Sequence, residues 1–231
     1  AEDRECQTKA AALFQALRGD PPKPLSSVAP DATGSGKRVL LIDHDDSFVH
    51  MLADYFRQVG AEVSVTRYKH AQAMLNGGSY DLLVLSPGPG RPEDFGIKQT
   101  IDTALAKKLP VFGVCLGVQA IGEYFGGQLG QLAQPAHGRP SRVAVRGGTL
   151  MHGLPNEITI GRYHSLYVER DSMPDVLQVT ASTDDGVAMA IEHKTLPVGG
   201  VQFHPESLMS LGGEVGLRIV ENAFRLGQNA S

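Results

Sequence analysis

The sequence predicts an α/β fold in which an open, mostly parallel twisted sheet is flanked by helices. Continuous apolar runs such as Val39–Ile42 are typical of parallel strands that are buried on both faces. Between such runs, apolar residues recur at helical spacing, as from Phe48 to Val59, and Gly60 ends the pattern. After residue 141 short strands dominate, so we expect an added antiparallel β segment.

Strands and helices alternate in the first half of the predicted domain, which is the order that places helices on both faces of a sheet. The first strands are predicted at residues 39–42, 62–67, 81–86 and 110–114. Helices are predicted at residues 48–59, 97–108 and 118–124. The later strands are predicted at residues 142–145, 157–160, 176–181, 187–192 and 198–203, before a closing helix at 214–226.

The chain divides into a short tail, a linker and one main domain. Residues 1–18 include a predicted helix over residues 5–18, because Ala and Leu are strong helix formers there and Gly19 can end it. Residues 19–36 are rich in proline and glycine, which is typical of a linker. The main domain is predicted over residues 37–227. Because the chain begins with Ala, we expect it to come from a longer polypeptide.

Composition and charge favour a globular protein that binds neither nucleic acid nor an anionic membrane. The 231 residues are 42% hydrophobic and 20% charged, and the net charge is −4. No apolar run approaches the roughly 20 residues that span a bilayer, and no signal peptide is recognisable. Cys6 and Cys115 lie in unlike segments, so we expect no disulfide and a reducing, cytoplasmic setting.

The segment around Cys115 has the pattern of a nucleophile elbow. An apolar strand runs into Gly113-Val114-Cys115-Leu116-Gly117 and then into a helix. The glycines permit a sharp turn that holds the central side chain outward, and the helix N-terminus favours negative charge on the sulfur. The alternative is a buried structural cysteine that acts as a small hydrophobe.

A second segment, Val201–Ser207, carries His204 and Glu206. In an extended chain, residues two apart point to the same side, and Pro205 stiffens the backbone between them. A carboxylate held against an imidazole fixes its tautomer and stabilises the imidazolium, as in triad chemistry. The alternative is a surface turn with an unrelated histidine and glutamate.

The segment Ser86–Gly90 follows a predicted strand, at the edge where open α/β sheets place their ligands. Its glycine backbone can present N–H groups to an oxyanion, although a plain Pro/Gly turn is the alternative. It is not a dinucleotide fingerprint, because Glu93 stands at the position of the third glycine. Residues 33–38 fail as a phosphate loop, because Asp31 stands where the first glycine belongs and Arg38 replaces the Ser or Thr.

Two further polar segments carry weaker signals. Residues 161–167 are predicted as a polar turn between strands. His44, Asp45, Asp46 and His50 form a cluster of possible metal ligands, but a metal needs side chains that converge. We interpret Asp45 and Asp46 as helix-cap candidates and both histidines as surface residues, and we predict no metal site.

Together, four of these segments resemble class I (triad-type) glutamine amidotransferases across about residues 37–227. The order is that of the family: a Pro-Gly-Pro-Gly loop, Gly-Val-Cys-Leu-Gly, His-Ser-Leu and Phe-His-Pro-Glu-Ser. Arg162–Leu166 and Ser86–Gly90 are similar to the anthranilate synthase and aminodeoxychorismate synthase branch. Lys9–Leu13 and Leu208–Gly213 resemble fused bacterial anthranilate synthases, in which the amidotransferase follows a chorismate-converting domain.

The resemblance implies a flavodoxin-like fold and a role for each matching residue. Cys115 would be the nucleophile, His204 the general base and acid, and Glu206 the orienting carboxylate. Backbone N–H groups of Gly88 and Leu116 would hold the oxyanion. The pocket for L-glutamine would be lined by Gly88, Pro89, Gly90, Leu116, Gln119, Ser165 and Leu166.

The resemblance also implies a partner. Ammonia from glutamine would pass to a synthase that converts chorismate to anthranilate and pyruvate in tryptophan biosynthesis, and residues 1–18 would be the last helix of that synthase. Mg²⁺ would belong to the synthase, so we assign no cofactor to this chain. Oligomers would form through the synthase.

Three alternatives stay open at this stage. The nearest is the glutaminase part of an aminodeoxychorismate or phenazine-type synthase. The second is a stand-alone hydrolase of γ-glutamyl peptides with the same fold. The third is a non-catalytic regulatory protein, against which the complete set of Cys115, His204 and Glu206 argues.

Overall fold

The computed structural model describes residues 33–207 and 215–226, without the side chains of His137 and Arg139. The predicted tail helix at residues 5–18 and most of the predicted linker lie outside the described residues. The strands are β1 Arg38–Asp43, β2 Glu62–Arg67, β3 Leu82–Leu85, β4 Val111–Val114, β5 Leu129–Val145, β6 Glu157–Val168, β7 Leu177–Thr183, β8 Ala188–His193 and β9 Val198–Val201. The helices are α1 Val49–Gln58, α2 Ala71–Gly77, α3 Ile97–Ala106, α4 Leu116–Tyr124 and α5 Val215–Ala223, with short 3₁₀ helices at Tyr68–His70 and Pro92–Phe95.

The described strands form one sheet in the order β2-β1-β3-β4-β9-β8-β7-β5-β6. Pairing is parallel from β2 to β9. It is antiparallel from β9 to β6. The predicted fold class is thereby confirmed: an open parallel sheet extended by an antiparallel segment. Because β1, β3, β4 and β9 are parallel, their carboxyl ends meet along one edge, where ligands bind in such sheets.

Packing on both faces of the sheet explains why its central strands appear in the sequence as unbroken hydrophobic runs. All four residues of β3, of β4 and of β9 are buried. One core cluster packs α1 and α5 against the sheet, around Phe56, Phe112 and Phe203. The other packs α3 and α4 against the opposite face, around Leu40, Ile101 and Ile121. A sheet covered on both faces offers its strand ends, and not its faces, to a ligand.

Three sequence predictions need correction. Helix α2 was not predicted, because it has seven residues and buries only Ala71 and Leu75, too few for a periodic signal. Strands β5 and β6 are far longer than predicted, and the supposed turn at residues 161–167 lies inside β6. These strands include polar and glycine residues and pair with two register shifts, so cross-strand partners specify them more than side-chain alternation does.

Among the described helices, none combines the length and the apolar character needed to cross a membrane.

Candidate active site

Cys115 lies at the carboxyl end of β4, in a backbone conformation that side chains rarely adopt. Its φ is 52° and its ψ −102°, and it is the N-cap residue of α4. The Cys115 N–H donates to Val201 O at 2.8 Å, and its carbonyl accepts from Gln119 N at 3.1 Å. Such strain costs of order 1–3 kcal/mol and persists only where the surroundings enforce it. The sulfur is thus held at the N-terminus of α4, where the helix dipole favours negative charge.

Close backbone approach at three glycines enforces this turn. A Cβ on Gly113 would lie 2.5 Å from the Gly117 carbonyl carbon. A Cβ on Gly117 would clash with Leu85 O, and one on Gly200 with Gly113 O. These clashes involve backbone atoms, which cannot rotate away. The glycines of the Gly-x-Cys-x-Gly pattern therefore serve packing between β3, β4, β9 and α4, and none of the three needs a positive φ.

Replacing Gly117 with Ala is expected to destabilise the fold by about 2 kcal/mol or more, because the new methyl group overpacks a site walled by the backbone of β3. Denaturant unfolding measures the change. Gly77→Ala is the matched control, because no atom lies within 4 Å of a Cβ built there. We expect that control to stay within about 0.5 kcal/mol of the parent. Equal, small effects of both substitutions would contradict the packing explanation.

His204 and Glu206 follow β9 and meet beside the elbow. The His204 Nδ1 and Glu206 Oε1 atoms are 2.8 Å apart, and the two residues are 4% and 1% exposed. The segment is a bend and not the extended chain assumed from the sequence, yet the two side chains still face each other. The rings of Phe48 and Tyr163 pack against the imidazole edge-on, at 5.8 and 5.3 Å between centroids. These contacts restrict the orientation of the imidazole.

The electrostatic surroundings of His204 favour its protonated form. Burial by itself lowers the pKa of this imidazole, but the Glu206 carboxylate and a hydrogen bond to the Cys115 side chain hold the pKa well above its ordinary value. His204 therefore links the carboxylate on one side to the sulfur on the other. A buried imidazolium, held by a carboxylate, thus lies beside the Cys115 sulfur.

The loop Ser86–Gly90 folds over the start of α4. A Cβ on Gly88 would lie 2.6 Å from Leu116 Cδ2 and 2.7 Å from the His44 carbonyl oxygen, so only glycine fits. The structure thus places Gly88 against Leu116, the two residues predicted to offer oxyanion N–H groups. The first N–H groups of a helix have no intrahelical acceptor, so Leu116 can donate outward. Pro89 and Gly90, which were also predicted to line the pocket, are exposed.

His44 was predicted to lie on the surface, and this prediction is wrong. It is 1% exposed, and its backbone N–H donates to Ser86 Oγ at 3.0 Å, while its Nδ1 lies 3.1 Å from the same oxygen. The Ser86 hydroxyl in turn donates to Pro87 O at 2.6 Å. Burial lowers the pKa of His44 to about 4, so the ring is neutral and Nδ1–H donates to Ser86. His44 is therefore a buried support of the Gly88 loop.

The helix-cap interpretation of Asp45 and Asp46 also needs correction. The N-cap residue of α1 is Phe48, whose own side chain makes no capping hydrogen bond. Asp46 instead closes a local turn by accepting from Phe48 N at 2.7 Å. Asp45 forms an ion pair with Arg67. Within residues 33–207 and 215–226, no group of three or more His, Cys, Asp or Glu side chains is arranged to hold a metal ion.

The neutral state of His44 predicts a pH-dependent stability. Its pKa is about 4 in the native state and about 6.5 when unfolded, so the unfolded chain binds more protons between these values. The contribution of neutral His44 to the free energy of unfolding is complete above pH 6.5 and is lost as the pH falls towards 4. We expect wild type to lose about 2 kcal/mol more than His44→Asn between pH 7 and pH 5, measured by denaturant unfolding. Equal losses of stability in wild type and His44→Asn would contradict the assignment of a neutral His44.

The predicted pocket residues on β6 connect to α4 through one buried amide. Gln119 Nε2 donates to Leu166 O at 2.9 Å, and Gln119 is 3% exposed. Ser165 and Leu166 are half-buried beside it. His164 Nδ1 also lies 2.9 Å from Leu166 O. The carbonyl oxygen of Leu166 therefore accepts from two donors. These two hydrogen bonds position β6 beside the elbow.

Gln202, beside the sulfur, and Tyr163, beside His204, received no role in the sequence analysis. Gln202 Nε2 donates to Cys115 Sγ at 3.6 Å, and the Gln202 residue is 1% exposed. The Tyr163 hydroxyl lies 3.1 Å from Ser207 Oγ while its ring packs on His204. Gln202 stands two residues before His204, but this segment is a bend, so strand alternation gives no signal for Gln202, and its contact with Cys115 appears only in the folded chain.

Comparison with known proteins identifies the family. The glutamine amidotransferase class-I family matches residues 40–224. An anthranilate synthase of Azospirillum brasilense is 56% identical over 226 residues, which are 97% of this chain and 31% of that protein. The anthranilate synthase component 2 of the same organism is 44% identical over 190 residues, 80% of this chain and 93% of that protein. A crystal structure of a glutamine amidotransferase from Thermotoga maritima has a TM-score of 0.58 at 19% identity, covering 74% of this chain and 76% of that one.

The matched region contains the whole described site. It includes Cys115, His204 and Glu206 as well as the loop at Gly88. The structural likeness independently supports the fold. The chain spans about a third of the length of the longer Azospirillum enzyme and nearly all of component 2. On the family match and these identities, the chain belongs to the class I glutamine amidotransferases.

Proposed function

We propose that this domain hydrolyses the side-chain amide of L-glutamine through Cys115 and supplies the ammonia to a synthase that converts chorismate to anthranilate. The observation that carries the proposal is the contact between Cys115 at a strained elbow and the buried His204–Glu206 pair. A buried structural cysteine would need neither the strained backbone nor an imidazolium beside it.

In the first half of the reaction, the Cys115 thiolate attacks the amide carbon of glutamine. The carbonyl oxygen takes up negative charge and is held by the N–H groups of Gly88 and Leu116. His204 donates its proton to the amide nitrogen, the carbon–nitrogen bond breaks, and ammonia leaves. A γ-glutamyl thioester on Cys115 remains, and His204 is neutral.

In the second half, water hydrolyses the thioester. Neutral His204 accepts a proton from the water as its oxygen attacks the thioester carbon. The carbon–sulfur bond then breaks, glutamate leaves, and the thiolate–imidazolium pair is restored. Glu206 holds the imidazole through both halves and stabilises its charged form. Every group required for this cycle belongs to the described chain or to the substrates, glutamine and water.

The synthase half of the proposal comes from the relatives. The Azospirillum brasilense anthranilate synthase extends well beyond the region matched here, which leaves room for a chorismate-converting part. We propose that residues 1–18 end such a part, that residues 19–36 link it to the domain at residues 37–227, and that Mg²⁺ serves the synthase and not this domain. On this proposal the protein is multifunctional, cytoplasmic and oligomeric through its synthase.

Product analysis tests the proposal. The chain is combined with its synthase part and given chorismate and glutamine, and the products are separated by chromatography. Anthranilate, pyruvate and glutamate in equal amounts are expected. An aminodeoxychorismate product would replace the anthranilate assignment but keep the glutaminase. Rapid turnover of γ-glutamyl peptides by the isolated chain would favour a stand-alone hydrolase. Absence of glutamine-protected alkylation at Cys115 would favour a non-catalytic protein.

A further inference from the structure

We propose that Gln202 is a positioning residue for the nucleophile, whose side-chain N–H group donates a hydrogen bond to the Cys115 sulfur and holds it as a thiolate aimed at the substrate. The role rests on the proposed glutaminase function of Cys115. It adds a fourth side chain to the Cys115, His204 and Glu206 set. Gln202 immediately follows β9 and lies next to the elbow.

The orientation of the Gln202 amide follows from a chain of hydrogen bonds that begins at an obligatory acceptor. A backbone carbonyl can only accept, so the Gln119 atom 2.9 Å from Leu166 O must be its nitrogen. The same nitrogen lies 3.3 Å from a Gln202 side-chain atom, which must then be the oxygen Oε1. The other end of the Gln202 amide, 3.6 Å from Cys115 Sγ, is therefore the nitrogen, which donates.

Burial makes this donor effective. Gln202 and Gln119 are 1% and 3% exposed, so water does not compete for the amide groups. The Gln202 backbone N–H donates to Met189 O at 2.9 Å, which anchors the residue to the sheet. A neutral donor aimed at sulfur stabilises the thiolate more than the thiol, because hydrogen bonds to charged groups are the stronger ones. Gln202 thus adds a donor to the one that His204 provides.

Several ionisable side chains besides Gln202's neighbour Cys115 lie around the elbow. His204 is the cation next to the sulfur, and Glu206 is bonded to its far side. His164 is neutral, since burial and the Arg162 charge lower its pKa to about 4. Other titratable or charged side chains on the elements around the elbow include His44, Tyr55, Glu123, Arg162, Tyr163 and Glu192.

The test is the pH dependence of alkylation at Cys115. Iodoacetamide labelling is followed by mass spectrometry over a pH series for wild type, Gln202→Met and Gln202→Glu. Met keeps the length of the side chain but offers no donor, and Glu replaces the donor with an acceptor. Gln178→Met, on the exposed side of β7, is the matched control. Thermal unfolding of every variant reports on folding separately.

We expect the pH midpoint of alkylation to rise by about one unit in Gln202→Met and further in Gln202→Glu, with kcat reduced about tenfold or more and KM nearly unchanged. The Gln178→Met control should match wild type. An unchanged midpoint in a folded Gln202 variant would overturn the proposal, and either variant alone decides it. Failure of wild type to show glutamine-protected alkylation would instead refute the glutaminase function itself.

Discussion

Cys115→Ala is expected to reduce glutamine hydrolysis by at least about 1,000-fold, because no thioester can form without the sulfur. The fold should survive, since the change removes a single buried atom and adds none to the tightly packed elbow. Glutamate release, measured by a coupled assay on the purified chain, checks the loss. Cys6→Ala is the matched control and should retain full activity.

The same variant separates the two halves of the proposed enzyme. Combined with the synthase, Cys115→Ala should make no anthranilate from glutamine but should still make it from added ammonium, because the synthase needs only the released ammonia. Loss of both activities in a folded protein would show that Cys115 supports the synthase structurally. Retention of both would show that the nucleophile lies elsewhere.

Glu206→Gln is expected to lower kcat by about 100-fold or more while KM changes little, because Glu206 acts on His204 and not on the substrate. An amide has no negative charge to offset the burial of the imidazole, so the pKa of His204 should fall. The resting thiolate–imidazolium pair would then be depleted, and the pH profile of Cys115 alkylation should move with it.

A second buried glutamate provides the control for this substitution. Glu192 is 4% exposed and accepts bonds from the backbone N–H groups of Thr149 and Leu150, away from the elbow. Glu192→Gln should lower stability while leaving the alkylation profile unchanged. If Glu192→Gln and Glu206→Gln altered the profile equally, the effect of Glu206 would be a general consequence of losing a buried charge.

The parallel half of the fold and the elbow were predictable because their signals are local. Strands β1, β3 and β4 are buried on both faces and therefore appear as apolar runs in the sequence. Gly113, Cys115 and Gly117 stand within five residues of one another, so their pattern is visible in the sequence, although a Cβ on Gly117 would meet Leu85 of β3. A pattern that lies within one short segment can be recognised directly in the order of residues.

The parts that escaped prediction depend on contacts between distant segments. His44 looks like an exposed polar residue until the Ser86 loop, 42 residues later, covers it. The role of Gln202 becomes visible only when Gln119 and Cys115 are brought beside it, 83 and 87 residues away along the chain. The long β5–β6 pair is likewise defined by cross-strand partners. No periodicity within one segment encodes these arrangements.

The measurement that tests the central claim most directly is capture of the thioester on Cys115. The chain is mixed with radiolabelled glutamine, quenched in acid within the first turnovers, digested, and its peptides are analysed. The account predicts label on the peptide that contains Cys115, removed by hydroxylamine and absent from Cys115→Ala. Steady glutamate release by a protein that never carries label on Cys115 would contradict it.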